Sequence, residues 1–333
     1  MIVADVEPLS HPARRATGRP ARRRGVGRSR PLVVALGDVV VDIAAAPREP
    51  LARASDTVGV IVFRQGGSAA NTARWVARVG GAAVFIGAVG RDDWGRRLRA
   101  SLEEVGVRVH AVRKPRPTAR IVALIEPGGE RTFVTDRGAA DLLAPEDLRP
   151  AWFARAAALH LPAYSLLNEP LGSAARRAVE ASRAAGAIVS VDLASRRPLL
   201  ANGRRAAWER LAAVTPDLLF ANHAEAAALA GSRGDVRLLE LAPVVVIKDG
   251  SAGCRILARR GDAEPARLAV ATSPVHATDT TGAGDAFDAG FLVSWLSAPA
   301  ETRGDVAVLR RAALAGHRAA ARLLAEPRAE RLT

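Results

Sequence analysis

Thr278 to Phe291 reads TDTTGAGDAFDAGF. Gly282 and Gly284 bracket the small Ala283, Asp285 follows, and Ala286, Phe287, Gly290, Phe291 and Trp295 then recur at helical spacing. The pattern predicts a loop that opens directly into a helix. Such a loop turns several backbone N–H groups toward one point, and the helix N-terminus adds unsatisfied donors and partial positive charge there. That arrangement suits a phosphoryl group in transfer. Asp285, in the first helical turn, would stand beside it and accept the proton of an attacking hydroxyl. A bare Gly-Ala-Gly-Asp is also what an ordinary turn capped by Asp looks like, so the rest of the chain has to decide.

Working outward, PLVVALGDVVVDI from Pro31 predicts a buried strand closing on Gly37 and Asp38, then a second short apolar run ending at Asp42. A carboxylate at the end of a buried strand needs partners, and substrate hydroxyls can serve. Val58 to Phe63 predicts a strand. The paired Gly66 and Gly67 after it allow close approach of a ligand to the backbone, and Asn71 lies near the start of the helix that follows. Residues 82–98 give a further strand, a glycine-rich turn and a helix. Between Thr118 and Asp136 the pattern is a hairpin around Pro127-Gly128-Gly129, able to build a small sheet with the strand at Val58 to Phe63. From Ala156, the strands ALHLPAY, AIVSVDL, DLLFAN and VVVIKDG alternate with helices near 170–185, 203–213 and 223–230. Alternation at this spacing predicts βαβ units and a parallel sheet. Ligands of such sheets bind beyond the carboxyl ends of the strands, where Asp42, Asp192, Asn222 and Asp285 would project.

The run DTTGAGDAF resembles the C-terminal motif of the ribokinase-like (PfkB-type) carbohydrate kinases. The same family's N-terminal elements appear here as Gly66, Gly67 and Asn71, then as Gly87, Val89, Gly90, Asp92 and Gly95. The resemblance implies an α/β fold over residues 31–330: a three-layer α/β/α sandwich with a mostly parallel central sheet and a small β lid from about 43–65 and 117–137. The lid would exclude water from the acceptor and offer a homodimer contact. Also implied is an ATP-dependent kinase, with Gly282, Ala283 and Gly284 as anion hole and Asp285 as general base. Asp38, Asp42, Gly66, Gly67 and Asn71 would hold the substrate. Asn222 and Glu225 would order magnesium and phosphates, largely through water. Lys248, Gly250, Ser251 and Gly253 would lie beside the nucleotide. Asp279 and Thr281 match positions that bind a monovalent cation such as potassium in many members. Arg131 and Arg137, on the hairpin, would be within reach of a substrate phosphate or hydroxyl.

The acceptor is left open by departures from the ribokinase pattern, since Val40 and Ser68 stand where ribokinases present Asn and Lys. The GERTF hairpin is closer to fructokinase and ketodeoxygluconate kinase relatives, and nucleoside kinases of the adenosine or pseudouridine type are the alternative. Two other classes are weaker: a non-catalytic sugar sensor would have lost the base or the Asn222/Glu225 pair, and a nucleic-acid-binding protein would interleave aromatics with its basic residues.

Composition fits this reading. The chain of 333 residues is 49% apolar, enough for one large α/β domain with an insertion or for two ordinary domains. Its net charge of +14 comes from arginine, with Lys114 and Lys248 the only lysines, and aromatics are only 4%. Residues 1–30 hold eight arginines against Asp5 and Glu7, without apolar periodicity; they read as a basic, disordered tail rather than a secretory signal. One cysteine, Cys254, excludes an intramolecular disulfide framework, and no apolar run is long enough to span a bilayer. A cytoplasmic protein acting on a small molecule, with no membrane partner, is expected.

Overall fold

A computed structural model describes residues 30–126, 131–261, 263–275, 277, 279–326 and 332. The basic tail up to residue 29, the turn Pro127-Gly128-Gly129 and the Arg131 side chain lie outside the described residues. Among the described residues, thirteen strands and eight helices follow in chain order. The strands are β1 (Leu32–Leu36), β2 (Val40–Pro47), β3 (Gly59–Gly66), β4 (Ala82–Val89), β5 (Arg108–Arg113), β6 (Arg120–Ile125), β7 (Arg131–Asp136), β8 (Ala158–Pro162), β9 (Ile188–Asp192), β10 (Leu218–Asn222), β11 (Val244–Lys248), β12 (Cys254–Arg260) and β13 (Ala263–Val270). The helices are α1 (Ser68–Arg78), α2 (Asp93–Glu103), α3 (Leu171–Ala184), α4 (Arg196–Leu199), α5 (Gly203–Ala212), α6 (His223–Ala230), α7 (Ala283–Leu296) and α8 (Val306–Ala325).

Nine strands form the central sheet in the order β13-β12-β11-β10-β9-β8-β1-β4-β5. Pairings from β11 to β5 are parallel, and β12 and β13 add an antiparallel edge hairpin. Because side chains alternate along a strand, β1 sends Val33 and Ala35 into one core and Val34 and Leu36 into the other. The first core is closed by α1, α2, α7 and α8, through Trp75, Leu98, Phe291 and Leu309 among others. The second is closed by α3, α5 and α6, through Ala174, Leu211 and Leu229. Three layers result. A buried aromatic cluster anchors α7 to the sheet, with Phe220 of β10 edge-on to Phe287 and Phe291 at centroid distances of 6.4 and 5.4 Å.

A separate four-stranded sheet, β3-β2-β6-β7, stands at the edge of the sandwich. Here the structure differs from the sequence expectation: Asp42 does not end a strand of the central sheet. The strand β2 runs from Val40 to Pro47, so Asp42 is its third residue, paired across the ladder with Arg64. The small sheet is anchored by Phe63, whose ring stacks on Trp94 at 5.1 Å. Farther out, Val60, Ile61, Phe133 and Val134 are each more than half exposed. Expected helices and strands from Ala156 to Lys248 fall within a few residues of the observed ones. The edge hairpin β12–β13 was not among those expectations, which stop at β11.

Candidate active site

The functional residues gather at the carboxyl ends of the parallel strands. Gly282 adopts φ +79° and caps α7, a left-handed conformation that disfavours any residue with a Cβ. The loop around it separates two cavities. One, of about 870 Å³, is lined on this side by Thr281, Gly282 and Asp285, and opposite by Asp38, Asp42, Asn71 and the lid residues Ile121 and Thr135. The other, of about 370 Å³, is lined by Ala283 and Gly284, by Lys248, Gly250, Ser251 and Gly253, and by an apolar wall that includes Val275, Ala320 and Leu324. One short stretch thus has Gly282 and its carboxylate in the first cavity and Ala283 and Gly284 facing the second.

Asp285 is held by the first turn of α1. Its Oδ1 accepts a hydrogen bond from Ser68 Oγ at 2.6 Å and its Oδ2 one from Asn71 Nδ2 at 2.9 Å. Burial pushes its pKa up to about 7; the bonds from Ser68 and Asn71 oppose that rise, and the nearby Asp192 adds to it. A carboxylate so poised can take a proton near neutral pH. Asn71 is itself fixed from behind. Gln65 Nε2 donates to Asn71 Oδ1 at 3.0 Å, Arg74 Nε donates to Gln65 Oε1 at 2.6 Å, and Arg74 NH2 donates to Ser101 O at 3.0 Å. Neither Gln65 nor Arg74 was among the expected site residues.

Gly67 lets α1 start where it does. It has φ +98°, and a Cβ there would stand 2.6 Å from the carbonyl oxygen of Asp38. Asp38 is buried and receives Arg137 NH1 on Oδ2 at 2.8 Å, while the same guanidinium pairs with Asp141 at 3.0 Å and lies over Tyr164. Arg137, expected to be available to substrate, is therefore neutralised by two carboxylates, although it does line the larger cavity. The motif residue Asp92 is structural, capping α2 at Gly95 N (2.9 Å) and receiving Thr118 N (2.8 Å).

Asn222 and Glu225 form a reciprocal cap at the start of α6: Glu225 N donates to Asn222 Oδ1, and Asn222 N donates to Glu225 Oε2, both at 2.8 Å. Glu225 is buried, and burial together with Asp192 raises its pKa. Lys248 Nζ lies 3.1 Å from both oxygens of Asp288 and 3.2 Å from Asp192 Oδ1. Burial works against its charge, but Asp192, Asp288 and Glu225 outweigh that and raise its pKa. A methyl group added at Gly284 would stand 3.3 Å from the same ammonium, which places this charge directly against the loop. Asp288 is a further residue absent from the expected set. Before the glycines, Asp279 Oδ1 accepts from Thr281 N at 3.0 Å and Oδ2 from Arg64 NH1 at 2.8 Å. Among the described residues no cluster of three or more His, Cys, Asp or Glu forms a metal centre, and no helix is long and apolar enough to cross a membrane.

Two cavities meeting at a glycine turn and a buried carboxylate are the arrangement of a phosphotransferase with an alcohol group as acceptor. The chain belongs to the pfkB family of carbohydrate kinases, whose model matches residues 30–330. It is 38% identical over 271 residues to a fructokinase of Klebsiella pneumoniae, an alignment covering 77% of this chain and 82% of the relative. Among solved structures it is similar to fructokinase with bound ATP from Xylella fastidiosa, at 28% identity and a TM-score of 0.73, covering 87% of this chain and 92% of that one. It is also similar to the adenosine kinase of Sinorhizobium meliloti, at 25% identity and a TM-score of 0.74, covering 90% and 94%.

The burial of Asp285 has a measurable consequence. Its carboxyl carbon, followed by NMR in protein labelled at aspartate, is expected to titrate near pH 7. Ser68→Ala removes a donor to the charged form and should move that titration upward; a downward shift contradicts the assignment.

Proposed function

We propose that this chain transfers the γ-phosphoryl group of ATP to a hydroxyl of a sugar, with fructose the first acceptor to consider. The observation that carries the reading is the loop from Thr280 to Asp285, which lines two cavities at once, with Asp285 in the larger and Ala283 and Gly284 in the smaller. The fructokinase relatives favour a ketose acceptor. The adenosine kinase likeness supports a second reading, a nucleoside acceptor bound through its ribose in the same cavity.

In this mechanism the acceptor lies among Asp38, Asp42, Gly66, Gly67 and Asn71, and the two reacting oxygens are brought into line across the glycine turn. Asp285 takes the proton of the attacking hydroxyl as the new P–O bond forms and the bond to the ADP oxygen breaks. The N–H groups of Gly282 and Gly284, backed by the Lys248 ammonium, stabilise the charge on the transferred group, while the expected third donor, Ala283 N–H, instead closes the turn onto Thr280 O at 3.1 Å. Gly250, Ser251 and Gly253 flank the nucleotide, and the apolar wall at Val275, Ala320 and Leu324 suits a base. The oxygen-only donors Glu225, Asp192 and Asn222 at the strand ends fit the chemistry of magnesium, which keeps much of its own water. A bound magnesium ion would neutralise phosphate charge. For a monovalent cation at Asp279 and Thr281 the geometry is less favourable, because the Asp279 carboxylate already receives the Arg64 guanidinium. We propose a cytoplasmic enzyme in which residues 31–330 are the kinase unit and the sheet β3-β2-β6-β7 is its lid. The exposed Val60, Ile61, Phe133 and Val134 suit a homodimer contact through that lid. A nucleic-acid partner and a membrane partner are not part of the reading.

Asp285→Asn is expected to lower turnover by about a hundred- to ten-thousand-fold, the range for loss of a general base. An ADP-release screen over fructose, other sugars, sugar acids and nucleosides checks this, with Asp285→Asn as the blank; wild-type rates in the variant would sink the mechanism. Rates in potassium and in tetramethylammonium salts are expected to be equal, and strong potassium activation would restore the cation. Sedimentation velocity should give a dimer that Ile61→Asp with Val134→Asp converts to monomer; a wild-type monomer removes the lid contact.

A further inference from the structure

Arg64 lies on β3, on the same face of the lid as its ladder partner Asp42, and Asp42 lines the acceptor cavity. Its guanidinium NH1 crosses to Asp279 Oδ2 at 2.8 Å, joining residues 215 positions apart. Both side chains are largely shielded from water, so the pair is screened less than an exposed one. Asp279 is a joint: its other oxygen closes the turn onto Thr281 N, one residue before Gly282. A displacement of Arg64 therefore pulls on the turn that leads into Gly282 and Gly284. The Nε of Arg64 is buried without a hydrogen-bond acceptor among the described residues, so the guanidinium has a donor left for a rearrangement of this region.

We propose that Arg64 is a positioning residue that ties the lid to the anion-hole loop, so that ordering of the lid by the acceptor and assembly of the phosphoryl site are one event. This rests on the kinase reading of the same site. Coupling of this kind is reciprocal: an acceptor that holds the lid down tightens nucleotide binding by the factor with which nucleotide tightens the acceptor. It also ties phosphoryl transfer to a closed, acceptor-filled cavity and so limits wasteful transfer to water.

The test uses the full chain and the variants Arg64→Met, Arg64→Lys, Asp279→Asn and the exchanged pair Arg64→Asp with Asp279→Arg. Titration calorimetry measures ADP affinity with and without fructose as the probe. In the wild type fructose should tighten ADP; in Arg64→Met that tightening should vanish and kcat should fall about a hundredfold, the scale of a reacting group misplaced by about 1 Å. Asp279→Asn combined with Arg64→Met should be no worse than either alone, Arg64→Lys should recover part of the loss, and the exchanged pair should recover more than either of its single changes. Additive losses, or unaltered tightening in Arg64→Met, overturn the proposal. Hydrogen exchange separates this outcome from failure of the kinase reading, because it needs no acceptor. Amides of residues 280–285 should exchange faster in Arg64→Met while those of Val244–Lys248 do not change. Unchanged exchange at 280–285 overturns the coupling even if the enzyme turns over fructose, and faster exchange supports it even if fructose is not the acceptor.

Discussion

The Asp285 carboxylate is caught between the first turns of two helices, and much of the architecture serves to keep it there. The helix α7 supplies the residue, α1 supplies Ser68 and Asn71 to its two oxygens, and the sheet brings the two helices together on one face. Both helices start from a glycine at positive φ, Gly67 and Gly282. Each glycine allows a backbone approach that a side chain would block or strain. The carboxylate is dry enough for its proton affinity to rise and hydrogen-bonded enough for the ionised form to survive. A base for hydroxyl activation at neutral pH needs that balance.

Beneath the same loop is a charge cluster of a different kind. Lys248 is shared by Asp192 and Asp288, with Glu225 close by. More carboxylates surround the ammonium than it can neutralise, so burial raises Asp288 as well as Asp285. Removing Lys248 from such a set leaves buried carboxylates without their cation. The cluster fixes a positive charge against Gly284 without spending a flexible side chain on the ligand. It also links the ends of β9 and β11 to α7, so the strands and the glycine loop share one electrostatic anchor.

Much of this was legible in the chain itself. The loop-to-helix transition at Gly282, the paired glycines before α1, the cap at Asn222 and the order of βαβ units are local patterns, and local patterns survive without coordinates. Pairings between distant elements were not legible. Arg64 carries no signal of its own until β3 brings it to Asp279, and Gln65 and Arg74 mean nothing until they support Asn71. Asp42 was misplaced because an apolar run gives no sign of which of two sheets it joins. Asp288 did leave a signal: a carboxylate one turn after Asp285, in an otherwise apolar run, calls for a buried partner, but with 46 arginines in the chain the sequence does not point to Lys248. The hairpin β12–β13 escaped because exposed arginines and Pro265 dilute its alternation, as an edge strand permits.

The direction of the central sheet has a practical consequence. The strands β1, β4 and β5 begin at Leu32, Ala82 and Arg108, and Arg30 and Pro31 sit beside those starts, at the edge away from the reacting groups. A five-residue strand separates the two edges by about 16 Å. Arg30, the first described residue, thus lies at the back of the molecule. A tether attached at Arg30 therefore leaves the mouth of the site facing the medium.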